Sequence, residues 1–132
     1  MTIKIHRRMF NGRVQSKFSR RMYGDIATGD LADVIYKLAQ EWLNKEEWKT
    51  NEELDTSRGC RKALTGYIKE KIDFEDTDKS WCIPSNNWKW IAQNVIVYIV
   101  GLIVDFHWDR GTLVERTPEL GDETIQDLHP RT

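Results

Sequence analysis

The chain has 132 residues, 39% hydrophobic and 31% charged, with a formal net charge of −1. That length suits one core rather than two, and three prolines and eight glycines do not describe a disordered or fibrous chain. Cys60 and Cys82 are too few for a disulfide scaffold and lack C-x-x-C spacing, and the stretch Met1 to Arg8 has no apolar h-region, so the expected location is cytoplasmic.

The first 22 residues alternate as two strands, Ile3 to Phe10 and Arg13 to Arg20, joined at Asn11-Gly12, the pair best suited to a type I′ turn. One face of this hairpin collects Ile3, Ile5, Met9, Val14 and Phe18 and is expected to pack on the domain. The opposite face carries Lys4, His6, Arg8, Arg13, Gln15, Lys17 and, if the strand runs on, Arg21, with Phe10 at the tip. Seven Lys or Arg and no carboxylate fall within the first 24 residues.

A first helix is signalled by Asp30 as N-cap and by Leu31, Val34, Ile35, Leu38, Ala39 and Trp42 on one face, running to about Trp48. A second begins near Thr56-Ser57, with a stripe through Cys60, Ala63, Leu64, Tyr67, Ile68 and Ile72. Residues 73–79 read as a surface loop, and Pro84-Ser85 open a third helix. From Trp88 to Trp108 that helix is apolar in nearly every direction, which makes it the buried spine of the domain. Its β-branched stretch Val95 to Val100 also suits a strand, but the whole apolar segment is too long for one. The run Val95 to Val104 is about half the length needed to span a bilayer, so no membrane is expected.

The expected fold is α+β and mainly helical: an N-terminal β-hairpin packed on about three helices, the third of them central. Residues 1–108 form the domain, with 1–22 the basic hairpin and 30–108 the helical core, and 109–132 form an acidic, extended C-terminal arm. From Asp105 onward there are seven carboxylates against three arginines. Two amphipathic helices and one hairpin face give the spine limited cover, so its surface around Trp90, Val97 and Val104 is expected to be completed by a second subunit.

His6, His107 and His129 have no partner at metal-ligand spacing, so no metal is expected. The carboxylates at Glu46-Glu47, Glu52-Glu53-Asp55 and Glu75-Asp76-Asp78 read as solvated surface. Neither a Gly-rich phosphate loop nor a nucleophile elbow is present, so no cofactor and no catalysis are expected. The seven residues from Asp30 to Tyr36 resemble the acidic helix of the all-α nucleotide pyrophosphatases of the MazG type, a resemblance that implies magnesium held by Asp30 and Asp33. That family pairs the motif with an earlier Glu-rich helix, whereas here no acidic residue precedes Asp25.

The cationic ribbon therefore carries the functional expectation: a small non-catalytic binding protein that engages a polyanion, foremost nucleic acid, or an acidic protein surface. Lys4, Arg8, Arg13 and Lys17 would meet phosphates and Phe10 would stack, with His6 and Arg21 on the same face. The alternative is a homo-oligomeric structural or adaptor protein in which basic hairpin and acidic arm dock on neighbouring subunits.

Overall fold

The computed structural model of the chain describes residues 3–18, 28–50, 54, 56–72, 79, 88–109 and 112–113. Four helices account for most of them: α1 (Arg8–Phe18), α2 (Thr28–Asn44), α3 (Ser57–Lys71) and α4 (Trp88–His107). A 3₁₀ turn at Glu47–Lys49 follows α2. Two short strands, β1 (Trp108–Asp109) and β2 (Thr112–Leu113), pair antiparallel with Trp108 opposite Leu113.

The N-terminal β-hairpin, and with it the α+β class, is not what forms. Arg8–Phe18 is a helix, and Asn11-Gly12 lies inside it instead of making a turn. Burial explains the outcome. On a ribbon Phe10 stands on the solvent side, whereas on a helix Phe10, Val14 and Phe18 recur every fourth residue and share one face. In α1 these three and Met9 are all buried. Fully burying a side chain as large as phenylalanine stabilises by about 1.5–3 kcal/mol, more than the roughly 1 kcal/mol that Gly12 costs inside a helix. Strand-like alternation survives only before α1, where Ile3 and Ile5 are buried and Lys4 is exposed. The partner of that extended segment is a side chain: Gln40 Oε1 accepts from the Ile5 N–H at 2.8 Å, and its Nε2 donates to the Ile3 carbonyl at 2.7 Å.

Helix α2 starts two residues before Asp30 and stops at Asn44, short of Trp48. Glu46 adopts a left-handed conformation with φ 61°, which breaks the helix, and the Trp48 indole N–H folds back to donate to the Leu43 carbonyl at 2.8 Å. Helix α3 is capped by Thr56, whose hydroxyl accepts from the Gly59 N–H at 2.9 Å. It buries Cys60, Leu64 and Ile68, and the Cys60 thiol donates to the Leu54 carbonyl.

Helix α4 absorbs the β-branched run Val95 to Val100 because its neighbours bury it from several sides. It packs against α1, α2 and α3; α2 also touches the other three, so α1 and α3 flank the α2–α4 pair from opposite sides. Val95, Ile96, Ile99, Val100, Ile103 and Val104 are buried. By length and composition Lys89–His107 could cross a membrane, with mean hydropathy 1.5, and most of it is buried among the other helices. Trp90 at 59% exposure and Val97 at 53% are the large apolar side chains left in solvent among the described residues, while Val104, expected beside them, is 1% exposed.

Candidate functional site

Helix formation scatters the expected cationic face. Lys4 is exposed ahead of α1, and His6 is half-buried. Arg8 is exposed on the first turn of α1, Arg13 is half-buried, and Lys17 is exposed with its ammonium 5.5 Å from the Tyr98 ring centroid. Nine residues of helix rotate Lys17 about 180° from Arg8, so the two cannot track one strand of phosphates. Phe10, expected at an exposed tip, is 1% exposed and sits between aromatic neighbours, 6.4 Å from Tyr36 and 5.9 Å edge-on to Phe106. It belongs to the core. Arg21 lies outside the described residues.

On the α1 side of α2, polar groups are tied to one another. Arg7 pairs with Asp33 at 3.0 Å, with both side chains about half exposed, a geometry that contributes on the order of 0–1 kcal/mol. Asp33, one of the carboxylates that the pyrophosphatase resemblance would assign to magnesium, is thus engaged by an arginine. Beneath this pair the Tyr36 hydroxyl is buried without a hydrogen-bond partner. Burial, reinforced by Asp33 and opposed by Arg7, holds that hydroxyl neutral well above the usual tyrosine range.

The α3 side differs. Helix α3 carries Arg58, Arg61, Lys62, Lys69 and Lys71 against the single carboxylate Glu70. Opposite the buried Cys60, Leu64 and Ile68, the residues Arg58, Lys62 and Lys69 fall within an arc of about 40° and span about 16 Å along the axis, whereas Arg61 lies about 20° from Ile68 at the edge of the buried stripe. Arg61 is paired with Asp105 of α4. Sequence reasoning centred on the N-terminus missed this stripe, although its signal, cations at i, i+4 and i+11 across from an apolar stripe, is present in the sequence.

Along the seam between α2 and α3 run two successive depressions. The first, about 720 Å³, is lined by Trp42, Leu54, Ala63, Gly66 and Tyr67, with Lys62 at its rim. The second, about 310 Å³, has Val34, Leu38 and Ile72 beneath Lys37, Lys71 and Lys79. Tyr67 joins them. The Tyr67 ring has the Lys45 ammonium 5.1 Å from its centroid and that of Lys71 at 5.5 Å, so two like charges lie close to one aromatic ring. Glu41 and Glu70 are the carboxylates lining this groove.

Among the described residues no three His, Cys, Asp or Glu side chains gather where they could hold a metal ion. The described residues carry fifteen Lys or Arg against eight Asp or Glu, whereas the whole chain has 20 against 21, so the helical body is basic and the acidity is concentrated elsewhere in the chain. Comparison with protein-family models, curated proteins and solved structures finds no match to this chain.

Proposed function

We propose that this is a non-catalytic binding protein that engages a negatively charged partner, foremost nucleic acid, through the outer face of α3. The observation that carries this reading is the stripe Arg58, Lys62 and Lys69, three cations on one side of a helix whose other side is committed to the core. A helix face of this length meets several backbone phosphates at once, and each neutralised phosphate releases counterions. Anisotropy titration of labelled oligonucleotides at several salt concentrations tests it. Binding is expected to weaken steeply with salt, and the combined change Arg58→Ala, Lys62→Ala and Lys69→Ala is expected to flatten the logarithmic salt slope by about 2–3. Absence of binding at low salt, or a variant that binds like the parent, overturns the reading.

A second reading, self-association, is favoured by the exposure of Trp90 and Val97 one heptad apart on α4. Light scattering at high protein concentration tests it, with Trp90→Ala expected to shift the mass toward monomer. A parent chain that is monomeric throughout removes this reading.

A further inference from the structure

We infer that the groove between α2 and α3 is the docking surface for an acidic stretch of the same chain, residues 114–132. The inference stands apart from the proposed function, with which it shares Lys62.

Chain direction supplies the first argument. Strand β2 ends at Leu113 and packs beside the 3₁₀ turn Glu47–Lys49, which follows α2 just beyond Trp42 and Lys45. Residue 114 therefore departs near the end of the groove that those two residues mark. Reach is ample: nineteen residues extend to at most about 65 Å, and the fifteen residues of α3 are only about 22 Å long.

Chemistry supplies the second. Residues 114–132 contain Glu115, Glu119, Asp122, Glu123 and Asp127 against Arg116 and Arg131. The groove presents Lys37, Lys45, Lys62 and Lys71 around an apolar floor. Leu120, Ile125 and Leu128, interleaved with those carboxylates, match a floor made of Trp42, Leu38 and Tyr67. At Tyr67 two ammonium groups, of Lys45 and Lys71, lie 5.1 and 5.5 Å from one ring centroid, and a carboxylate docked beside that ring offsets both charges. A segment so placed competes with any external anion for Lys62 and Lys71.

Zero-length carbodiimide coupling of the full chain, followed by separation of the monomer and peptide mass mapping, tests the inference. Lys49 and Glu46, 2.6 Å apart, provide an internal control link. The expected result is amide links in the monomer from Lys45, Lys62 or Lys71 to carboxylates within 115–127. With Lys62→Glu and Lys71→Glu the yield of those links at the remaining lysines is expected to fall about tenfold, equivalent to roughly 1.4 kcal/mol of lost attraction. Reversing Glu119, Asp122 and Glu123 to Lys in that background is expected to restore links of opposite polarity. A control link without any groove link overturns the inference, as do groove links confined to covalent dimers, which would assign the groove to a second copy. Links indifferent to charge reversal overturn it as well. The link map of the parent chain decides the matter even if a variant misfolds.

Discussion

Toward α1, helix α2 is fastened by specific ties, in which Gln40 holds the backbone of Ile3 and Ile5, Arg7 meets Asp33 and Phe10 packs on Tyr36, beside a depression of about 380 Å³ lined by Lys4, Arg7, Tyr36 and Lys37. Toward α3 the same helix borders an open groove whose lysines gather around Tyr67. The contrast separates two uses of positive charge. Near the N-terminus Arg7 is engaged by Asp33 beside a segment that the fold itself ties down, whereas on the α3 side the charge is arrayed around a groove with an apolar floor. Substitutions on the first flank should therefore be read in stability and those on the second in binding.

The largest effect belongs to Phe10. Phe10→Ala is expected to destabilise by about 3–5 kcal/mol, because it empties a site enclosed by Tyr36 and Phe106. Urea denaturation measures it, and a loss below about 1 kcal/mol would return Phe10 to the surface role that its place on a ribbon suggested. Gln40→Ala comes next, at about 2 kcal/mol, because it strands the Ile5 N–H and the Ile3 carbonyl together. Hydrogen exchange at Ile5 should accelerate in step. An unchanged Ile5 amide would show that α1 holds the segment without the glutamine.

These two residues also show which parts of the fold were legible in sequence. The burial of α4 could be read because Trp88 to Trp108 is apolar all round, a property that needs no knowledge of its neighbours. Helix α1 could not be read in the same way. Met9, Val14 and Phe18 suit a strand face as well as a helix face, and Asn11-Gly12 is a strong local turn signal. Phe10 decides between them, and the Tyr36 and Phe106 rings that receive it come from two distant helices. The candidate site divides likewise. The stripe Arg58, Lys62 and Lys69 lies within one helix and follows its period, whereas Lys45 and Lys71 meet at Tyr67 only after α2 and α3 have packed. Of the three residues whose cover a second subunit is expected to complete, Trp90 and Val97 are exposed and Val104 lies on the buried side.

On the open flank a stabilising substitution sharpens the contrast. Gly66 lines the groove, and a Cβ built there meets nothing within 4 Å. Gly66→Ala is expected to stabilise by roughly 1 kcal/mol through helix propensity, read as a rise in the urea midpoint. A loss of stability would instead mean that the occupant of the groove presses on α3 at Gly66, where the methyl displaces it.

The smallest effect at neutral pH is expected at Tyr36, on the α1 flank. Its hydroxyl is buried without a hydrogen-bond partner, so Tyr36→Phe removes an unsatisfied group and should leave stability unchanged or raise it by up to about 1 kcal/mol. Alkaline pH magnifies the difference. The folded chain holds this tyrosine neutral above the usual range, while the unfolded chain ionises it near pH 10. The associated stability is therefore complete below about pH 10 and declines above it, because only the unfolded state releases the proton there. Tyr36→Phe should lose this part of the alkaline decline. Urea midpoints followed from pH 8 to 11 (an assay range of about three units around the tyrosine value) measure the two slopes. Parallel declines in parent and variant would place the Tyr36 hydroxyl in contact with water in the depression that Tyr36 lines with Lys4, Arg7 and Gln40.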